Sequence, residues 1–387
     1  MNTMLKAIPV TDNFSRQEFL DFPQRLMSQD PHYIRPLDQD IENVFNPSKN
    51  RTLKNSQWER FIFQNSKGET VGKVAVFINP TYKQKQPTGG IGFFDCINDQ
   101  SIANFIFNYC KEWLQNRGMQ AMDGPINLGE RDKFWGLLIE GQSEPLYNMN
   151  YNPSYYQTLF ENYGFQVYFN QLCFGRQVHA EVSSIFTKNH SKFVNHPTIK
   201  AVPLHKSKLE KFAQDFTEVY NKAWASHGEG KQLELRKALK MFKSMKPIIN
   251  NHICWFVYDK EQPIAVWINI PDVNQWFKYL NGKFGWWEKL KFLWVKTFKS
   301  NSKMVGLVFG VIPEWQGKGI DGYMIWEGTQ HLRKHTKFTE TELQWIGDFN
   351  PKMIRIAENL DTVVTRKLAT YRYLFDRSIP FERHPIL

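Results

Sequence analysis

Val308-Phe-Gly-Val-Ile-Pro-Glu-Trp-Gln316-Gly-Lys-Gly319-Ile-Asp-Gly322-Tyr-Met-Ile reads as an apolar strand, a tight turn at Pro313, and three glycines within six residues that open a helix. Glycine lets a backbone approach a ligand closely and adopt positive φ. A helix N-terminus offers free N–H groups and the positive end of its dipole to phosphate oxygens. Lys318 adds a charge. The stretch is a candidate pyrophosphate cradle for a nucleotide-bearing cofactor, built from Gln316, Gly317, Lys318, Gly319, Ile320 and Gly322. It is not a Walker A loop, since no G-x-x-x-x-G-K-[ST] string occurs. Gly317, Gly319 and Gly322 mimic the Rossmann spacing, and Glu340 and Glu342 stand near the place of its acidic residue. That fingerprint usually opens its domain, whereas several strands precede it here. The plain alternative is a glycine-rich turn that tightens a strand-to-helix junction.

The flanking segments give the loop a setting. Ala201 to His205 suits a strand. Ser207 to Trp224 and Gln232 to Met245 have helical apolar spacing, with Leu209, Phe212, Phe216, Val219 and Tyr220 on one face of the first. Cys254 to Tyr258 and Pro263 to Ile270 read as a hairpin about Lys260. Met304 to Ile312 is the strand before the loop, and the helix after it runs to about His335. Glu342 to Ile346 is a further strand. Asn350 caps a helix with Pro351 in its first turn. Arg366 to Phe375 closes the chain with strand-like residues.

This order and the loop together resemble the GNAT acyltransferase superfamily over roughly residues 200–377. The acyl-CoA motif of that superfamily, [R/Q]-x-x-G-x-[G/A], is met by Gln316 and Gly319, while Asp321 departs from it and Gly322 follows one place later. The resemblance implies acyl-CoA, acetyl or longer, as co-substrate. Its pyrophosphate would lie on the glycine loop and its pantetheine arm along the preceding strand, with a strand N–H near Val311 at the thioester oxygen. Asn350, at the start of the late helix, is expected to contribute to the cofactor site. It also implies a tyrosine acid on the late helix, but that place falls near Ala357, and near Phe160 in the first half. Candidate replacements are Tyr371 and Tyr373 on the last strand. Candidates for the base are His227 and Glu229 in the Ser226-His-Gly-Glu-Gly230 loop, and Glu342 and Asp348 beside the late strand. We take Glu342, His227 and Tyr371 as the catalytic expectation, against a bland reading of each as a solvated or structural polar group.

A chain of 387 residues fits two domains of ordinary size, and 42% hydrophobic residues suffice for real cores. The boundary is expected in the polar, proline-containing segment 189–200, giving halves 1–195 and 196–387. In the first half, Gly68 to Ile78 and Gly89 to Cys96 read as strands, and Ser101 to Arg117 as an amphipathic helix. Tyr151-Asn-Pro-Ser-Tyr-Tyr-Gln-Thr-Leu-Phe-Glu-Asn-Tyr-Gly164-Phe165 parallels residues 350–360. The expectation is a divergent tandem duplication: two mixed α/β, GNAT-like domains, each a mostly antiparallel twisted sheet flanked by helices. The first copy has Ile97-Asn-Asp-Gln where the glycine loop would be, so acyl-CoA is assigned to the second copy only.

Four scattered cysteines without C-x-x-C pairs suggest reduced thiols in a cytoplasm, with neither a disulfide scaffold nor a metal site. Met1-Asn-Thr-Met-Leu-Lys shows no signal-peptide pattern, and no apolar run approaches the roughly 18 residues of a membrane span. The net charge of +11 favours anionic partners. Much of it is local. Residues 271–303 hold seven lysines against Asp272 and Glu288, together with nine aromatics. Trp287, Leu290, Trp294 and Phe298 recur at helical spacing, with Lys289, Lys296 and Lys299 on another side. That pattern suits a helix on an anionic membrane surface over 284–299, or a lid over an acyl chain. It equally suits a surface helix whose stripe docks on the core. Single-stranded nucleic acid is disfavoured, since no RNA-binding motif accompanies the aromatics.

Further motifs sharpen the resemblance. Asp30-Pro-His-Tyr-Ile-Arg-Pro-Leu37, Gly124-Pro-Ile-Asn127, the segment from Tyr151, and Gly310 to Asp321 together are similar to bacterial two-domain GNAT-like proteins, and they span nearly the whole chain. Some proteins of that group are implicated in N-acylation of long-chain amines, including ceramide-type lipids. The resemblance implies an N-acyltransferase acting on a small-molecule or lipid amine. The alternatives are an aminoacyl-tRNA-dependent peptidyl transferase and a non-catalytic acyl-CoA- or lipid-binding protein.

Overall fold

In the computed structural model, which describes residues 5–224 and 232–387, one 14-stranded sheet runs through both halves of the chain. The first half contains β1 (Lys6–Pro9), α1 (Asn13–Leu26), α2 (Asp38–Val44), β2 (Gln57–Gln64), β3 (Thr70–Ile78) and β4 (Thr88–Cys96). It continues with α3 (Gln100–Gln115), β5 (Ala121–Gly124), β6 (Leu137–Glu140), α4 (Tyr155–Tyr163), β7 (Gln166–Gln177) and α5 (Ser184–Phe193). The second half begins β8 (Ile199–Pro203), α6 (Leu209–Trp224), α7 (Leu235–Met245), β9 (Trp255–Asp259) and β10 (Gln262–Pro271). The insertion supplies α8 (Asn274–Phe277) and α9 (Trp286–Phe298). Then come β11 (Lys303–Val311), α10 (Ile320–His335), β12 (Glu340–Leu343), β13 (Ile346–Gly347), α11 (Pro351–Asn359) and β14 (Val363–Leu374).

The halves repeat one plan. β1 to β4 pair antiparallel in sequence, and β4 then pairs parallel with β5 after crossing through α3. β8 to β11 do the same, and β11 pairs parallel with β12 after α10. The last strands are exchanged. β14 lies beside β5 of the first half, and β7 lies beside β12 of the second. β7 and β14 also pair with each other along most of their length. Segment 189–200, the expected boundary, runs from the end of α5 into β8, and the sheet is continuous between the halves through both exchanged strands.

Local sequence explains the elements. Ile102, Ile106, Phe107, Cys110, Trp113 and Leu114 recur three or four apart and form the buried stripe of α3. They pack with Val74, Val76 and Phe160 in the first-half core. Gly164, with φ 106°, ends α4 in the left-handed conformation that glycine adopts without strain. Phe212, Phe216 and Val219 of α6 join Trp255, Val257 and Val266 in the second-half core. The segment expected as one strand from Glu342 to Ile346 divides into β12 and β13. β12 pairs on both sides, with β11 and β7, whereas β13 pairs with β7.

Candidate active site

The parallel pairing of β11 with β12 runs from Lys303–Glu340 to Gly306–Leu343 and stops there. β11 continues alone on that side to Val311, with a register irregularity opposite Ile268–Asn269 that makes Leu307 the extra residue. The two strands therefore part like a V. Met304 and Phe309 from β11, Leu343 from β12, and Ile325 and Leu332 from α10 line an apolar pocket beside the opening.

At the far end of β11 the chain turns through Pro313 into α10. Gln316 Nε2 donates to the Val311 carbonyl at 2.9 Å and braces the turn. Gly317 and Gly319 have φ of 71° and 93°, a region that favours glycine. Gly319 is the N-cap of α10 and provides no side-chain cap, so among the described residues the first-turn N–H groups have neither an intrahelical nor a side-chain partner. A Cβ at Gly317 would meet nothing within 4 Å, so this side of the turn is open. A Cβ at Gly319 or Gly322 would instead strike Asn189 of α5, at 2.5 and 2.6 Å. These two glycines serve helix packing. Lys318 Nζ rests 5.0 Å from the Trp315 ring centre. Asn350, expected on the cofactor side, uses its side-chain oxygen to cap α11 through Met353 N–H.

The corresponding helix of the first half is closed to phosphate. Asp99 is the N-cap of α3, and its carboxylate accepts from the N–H groups of Ser101 and Ile102 at 2.8 and 3.2 Å. Hydrogen bonds from the Ser101 side chain, and from these backbone groups, hold its carboxyl below the ordinary value. A fixed negative charge thus occupies the amides that a pyrophosphate would need.

Glu342 requires a correction. Its Oε1 accepts from Arg366 Nε at 2.5 Å and from Thr365 at 3.1 Å. Its Oε2 accepts from Arg366 Nη2 at 3.1 Å and from Lys303 at 3.2 Å. These four contacts use up the roughly four acceptor positions of a carboxylate. Burial pushes the carboxyl up, but Arg366 and Lys303 more than offset that and hold it below the ordinary value. Glu342 is a buried, fully engaged anion, unsuited to take a proton from an amine.

Tyr371 lies in the first-half core through the exchange of β14. Its ring packs on Phe160, and its hydroxyl donates to Glu161 at 2.9 Å. Asp348 accepts from Asn170 and Arg383. His227 and Glu229 lie outside the described residues. Sequence reasoning counted Asp272 only as a charge. It is buried one residue beyond Pro271, which pairs with Met304 of the pocket, and its own N–H donates to the Lys303 carbonyl. Burial pushes its carboxyl up to about 7, against the Asn274 N–H and Lys303. The signal that could have found it is its place at the end of β10.

The first half has its own buried cluster. Lys73 Nζ sits 3.2 Å from Asp95 Oδ2 and donates to the Phe19 carbonyl at 2.9 Å. The Tyr156 hydroxyl donates to Asp95 Oδ1 at 3.0 Å and accepts from Cys96 N–H. Phe93, with φ 50°, bulges β4 beside this cluster. Residues of three sequence motifs (Tyr33 and Arg35; Pro125; Tyr151 and Asn152) line the same cavity of about 70 Å³. That is room for a couple of waters, not for a long chain.

No protein-family model matches the chain. The bacterial ceramide synthase of Caulobacter vibrioides (strain NA1000 / CB15N) is 24% identical over 367 residues, covering 93% of this chain and 94% of that protein. Protein YghO of Escherichia coli (strain K12) is 23% identical over 367 residues and 91% of each chain. Among solved structures, a tandem GNAT protein from the clavulanic acid biosynthesis pathway superposes with a TM-score of 0.52 at 9% identity, over 97% of this chain and all of that one. The GCN5-related glucosamine N-acetyltransferase region of a fungal multi-domain β-N-acetylglucosaminidase gives 0.53 at 10% identity. That match covers 96% of this chain and 38% of the larger protein. The chain has the tandem GNAT fold, with two halves of one plan joined into a single sheet through exchanged strands.

Proposed function

We propose that the protein is an acyl-CoA-dependent N-acyltransferase whose donor binds the second half. The observation that carries this is the contrast between two equivalent helix starts. α3 fills its first-turn amides with the Asp99 carboxylate, whereas α10 leaves them free behind Gly319. The N–H groups of the Gly317–Gly322 turn would hold the pyrophosphate, with Lys318 adjacent, and the parting of β11 from β12 would take the pantetheine arm. Acyl-CoA supplies the activated acyl group. The protein's part is to fix the acyl carbonyl beside a strand N–H, exclude water, and accept the amine proton. For that last role we propose Asp272, buried at the Lys303 end of β11, where burial pushes its carboxyl up to about 7.

The acceptor we infer is a long-chain amine. Ceramide is an N-acylated long-chain amine, and the name of the Caulobacter relative supports that class. The exposed aromatic face of α9 supports it independently. The test is calorimetry with acetyl-CoA and palmitoyl-CoA, then turnover with a panel of short and long primary amines. Binding of a CoA thioester with transfer to long-chain amines is expected. Failure to bind either thioester would remove the proposal. Binding without transfer to any amine would favour a non-catalytic acyl-CoA-binding protein. Ala357 and Phe160, buried where a tyrosine acid would stand, argue for that second reading.

A further inference from the structure

α9 is docked by a narrow edge. Phe292 and Val295 are buried against Trp276, Phe277 and Leu280, and this is how the insertion is held. The opposite side carries Trp286, Trp287, Leu290, Leu293, Trp294 and Phe298, with Trp287 75% and Phe298 69% exposed. A ridge of this size on one helix of a soluble surface is unusual without a partner. No helix of the described residues is long and apolar enough to cross a membrane, so the ridge is not part of a span.

Beside the last turns of α9 lies an open cleft of about 750 Å³. It is lined by Lys206, Lys296, Lys299, Lys334, Lys337 and His335, and no acidic side chain among the described residues lines it. These cations come from separate segments: the turn after β8, α9, the end of α10 and the loop beyond it. Favourable charge at a helix C-terminus accounts for Lys334 and His335. It accounts likewise for Lys296 and Lys299, in the last turn and at the C-cap of α9, but not for Lys206 and Lys337. None of the five lysines is in an ion pair with a described residue. Lys296 donates to the Pro247 carbonyl, and Lys299 stands over the Tyr279 ring, 5.6 Å from its centre. His252 also lines the cleft, with Nδ1 2.8 Å from His331 Nε2, and the His335 ring stacks on His252 and packs at a tilt against His331. The walls thus gather uncompensated positive charge and several N–H donors, the chemistry that binds phosphate oxygens.

We propose that α9 and this cleft form one docking surface for an anionic lipid bilayer, with the tryptophan ridge in the interface and a lipid phosphate headgroup in the cleft. The two features share α9, whose apolar side chains project away from the body while Lys296 and Lys299 edge the cleft. Amphipathic helices with Trp and Leu on one face and lysine on the flanks bind at this depth. Lysines near an anionic leaflet add to it. The surface does not depend on acyl transfer, and vesicle binding is measured without any CoA thioester.

The experiment is co-sedimentation with vesicles of phosphatidylcholine alone and with phosphatidylglycerol added. Binding is expected to the second and to be weak with the first. Lys299→Ala with Lys334→Ala should weaken it about 25-fold, from roughly 1 kcal/mol for each lysine near the surface. Trp287→Ala with Trp294→Ala should reduce it to background. All four side chains are surface groups, and unchanged circular dichroism and melting curves would confirm folding. Equal binding to both vesicle types, or binding indifferent to both double variants, overturns the proposal. Displacement from vesicles by inorganic phosphate would make the cleft a soluble-anion site and remove the bilayer from it. Tighter binding of single-stranded RNA than of vesicles would replace the bilayer with nucleic acid.

Discussion

Replacing Glu342 by glutamine separates a structural anion from a catalytic base. Glutamine keeps the shape but leaves Arg366 and Lys303 as buried cations without their shared counter-charge. Arg366 is 2% exposed and Glu342 is 2% exposed, so water cannot replace the lost partner. Removing one member of such a buried pair costs roughly 3–5 kcal/mol. Urea unfolding followed by tryptophan fluorescence should show a loss of that size at pH 7. The loss has a pH signature. The folded carboxyl lies below its ordinary value of 4.5, because Arg366 and Lys303 more than offset the push of burial. Its stabilisation is therefore complete above 4.5 and fades as pH falls through the folded value. The gap between wild type and variant should narrow in acid. A Glu342→Gln protein with unchanged unfolding but no transferase turnover would refute this assignment and return Glu342 to the role of base.

Other perturbations follow from the same geometry. Gly322→Ala should destabilise the protein by roughly 1–3 kcal/mol through overpacking on Asn189, and Asn189→Gly should recover part of that in urea unfolding. Asp272→Asn removes a carboxyl whose folded value is raised, a group that stabilises the fold below its unfolded value and loses this as pH rises through about 7. The variant should thus gain stability over wild type in alkaline melts, and it should lose the limb of the turnover profile that depends on that group. Phe292→Ala should cost roughly 3–5 kcal/mol, since its ring is buried beneath α9, whereas Trp294→Ala should change stability by less than about 0.5 kcal/mol. Thermal melts distinguish the two.

The sequence made much of this legible because local rules governed it. The apolar stripe of α3, the Asn350 cap of α11 and the glycine turn after β11 depend on neighbours a few residues away. The exchange of β7 and β14 was not legible. Val-Val-Thr-Arg-Lys-Leu-Ala-Thr-Tyr-Arg-Tyr-Leu is rich in β-branched and aromatic residues, as a strand should be, but that composition does not say which edge the strand meets. For the same reason Tyr371 was expected near the second-half loop and lies in the first-half core. Glu342 looked like a lone carboxylate on a strand because Arg366 and Lys303 are distant in sequence. The Gly319 and Gly322 spacing suggested a close ligand approach, while both meet the side chain of Asn189 from another helix. Gly317, free on its outer side, carries the ligand reading more cleanly.

Gly317 therefore gives the most direct test of the donor site. An added methyl there meets nothing within 4 Å, and the strain of φ 71° falls on an exposed turn, so the alanine variant should fold. The measurement is calorimetry of palmitoyl-CoA with wild type and Gly317→Ala. The account predicts a single site in the wild type and binding weakened at least tenfold in the variant, with melting close to wild type. Wild-type protein that binds no CoA thioester, or a variant that binds as tightly as wild type, would contradict a pyrophosphate cradle at the start of α10.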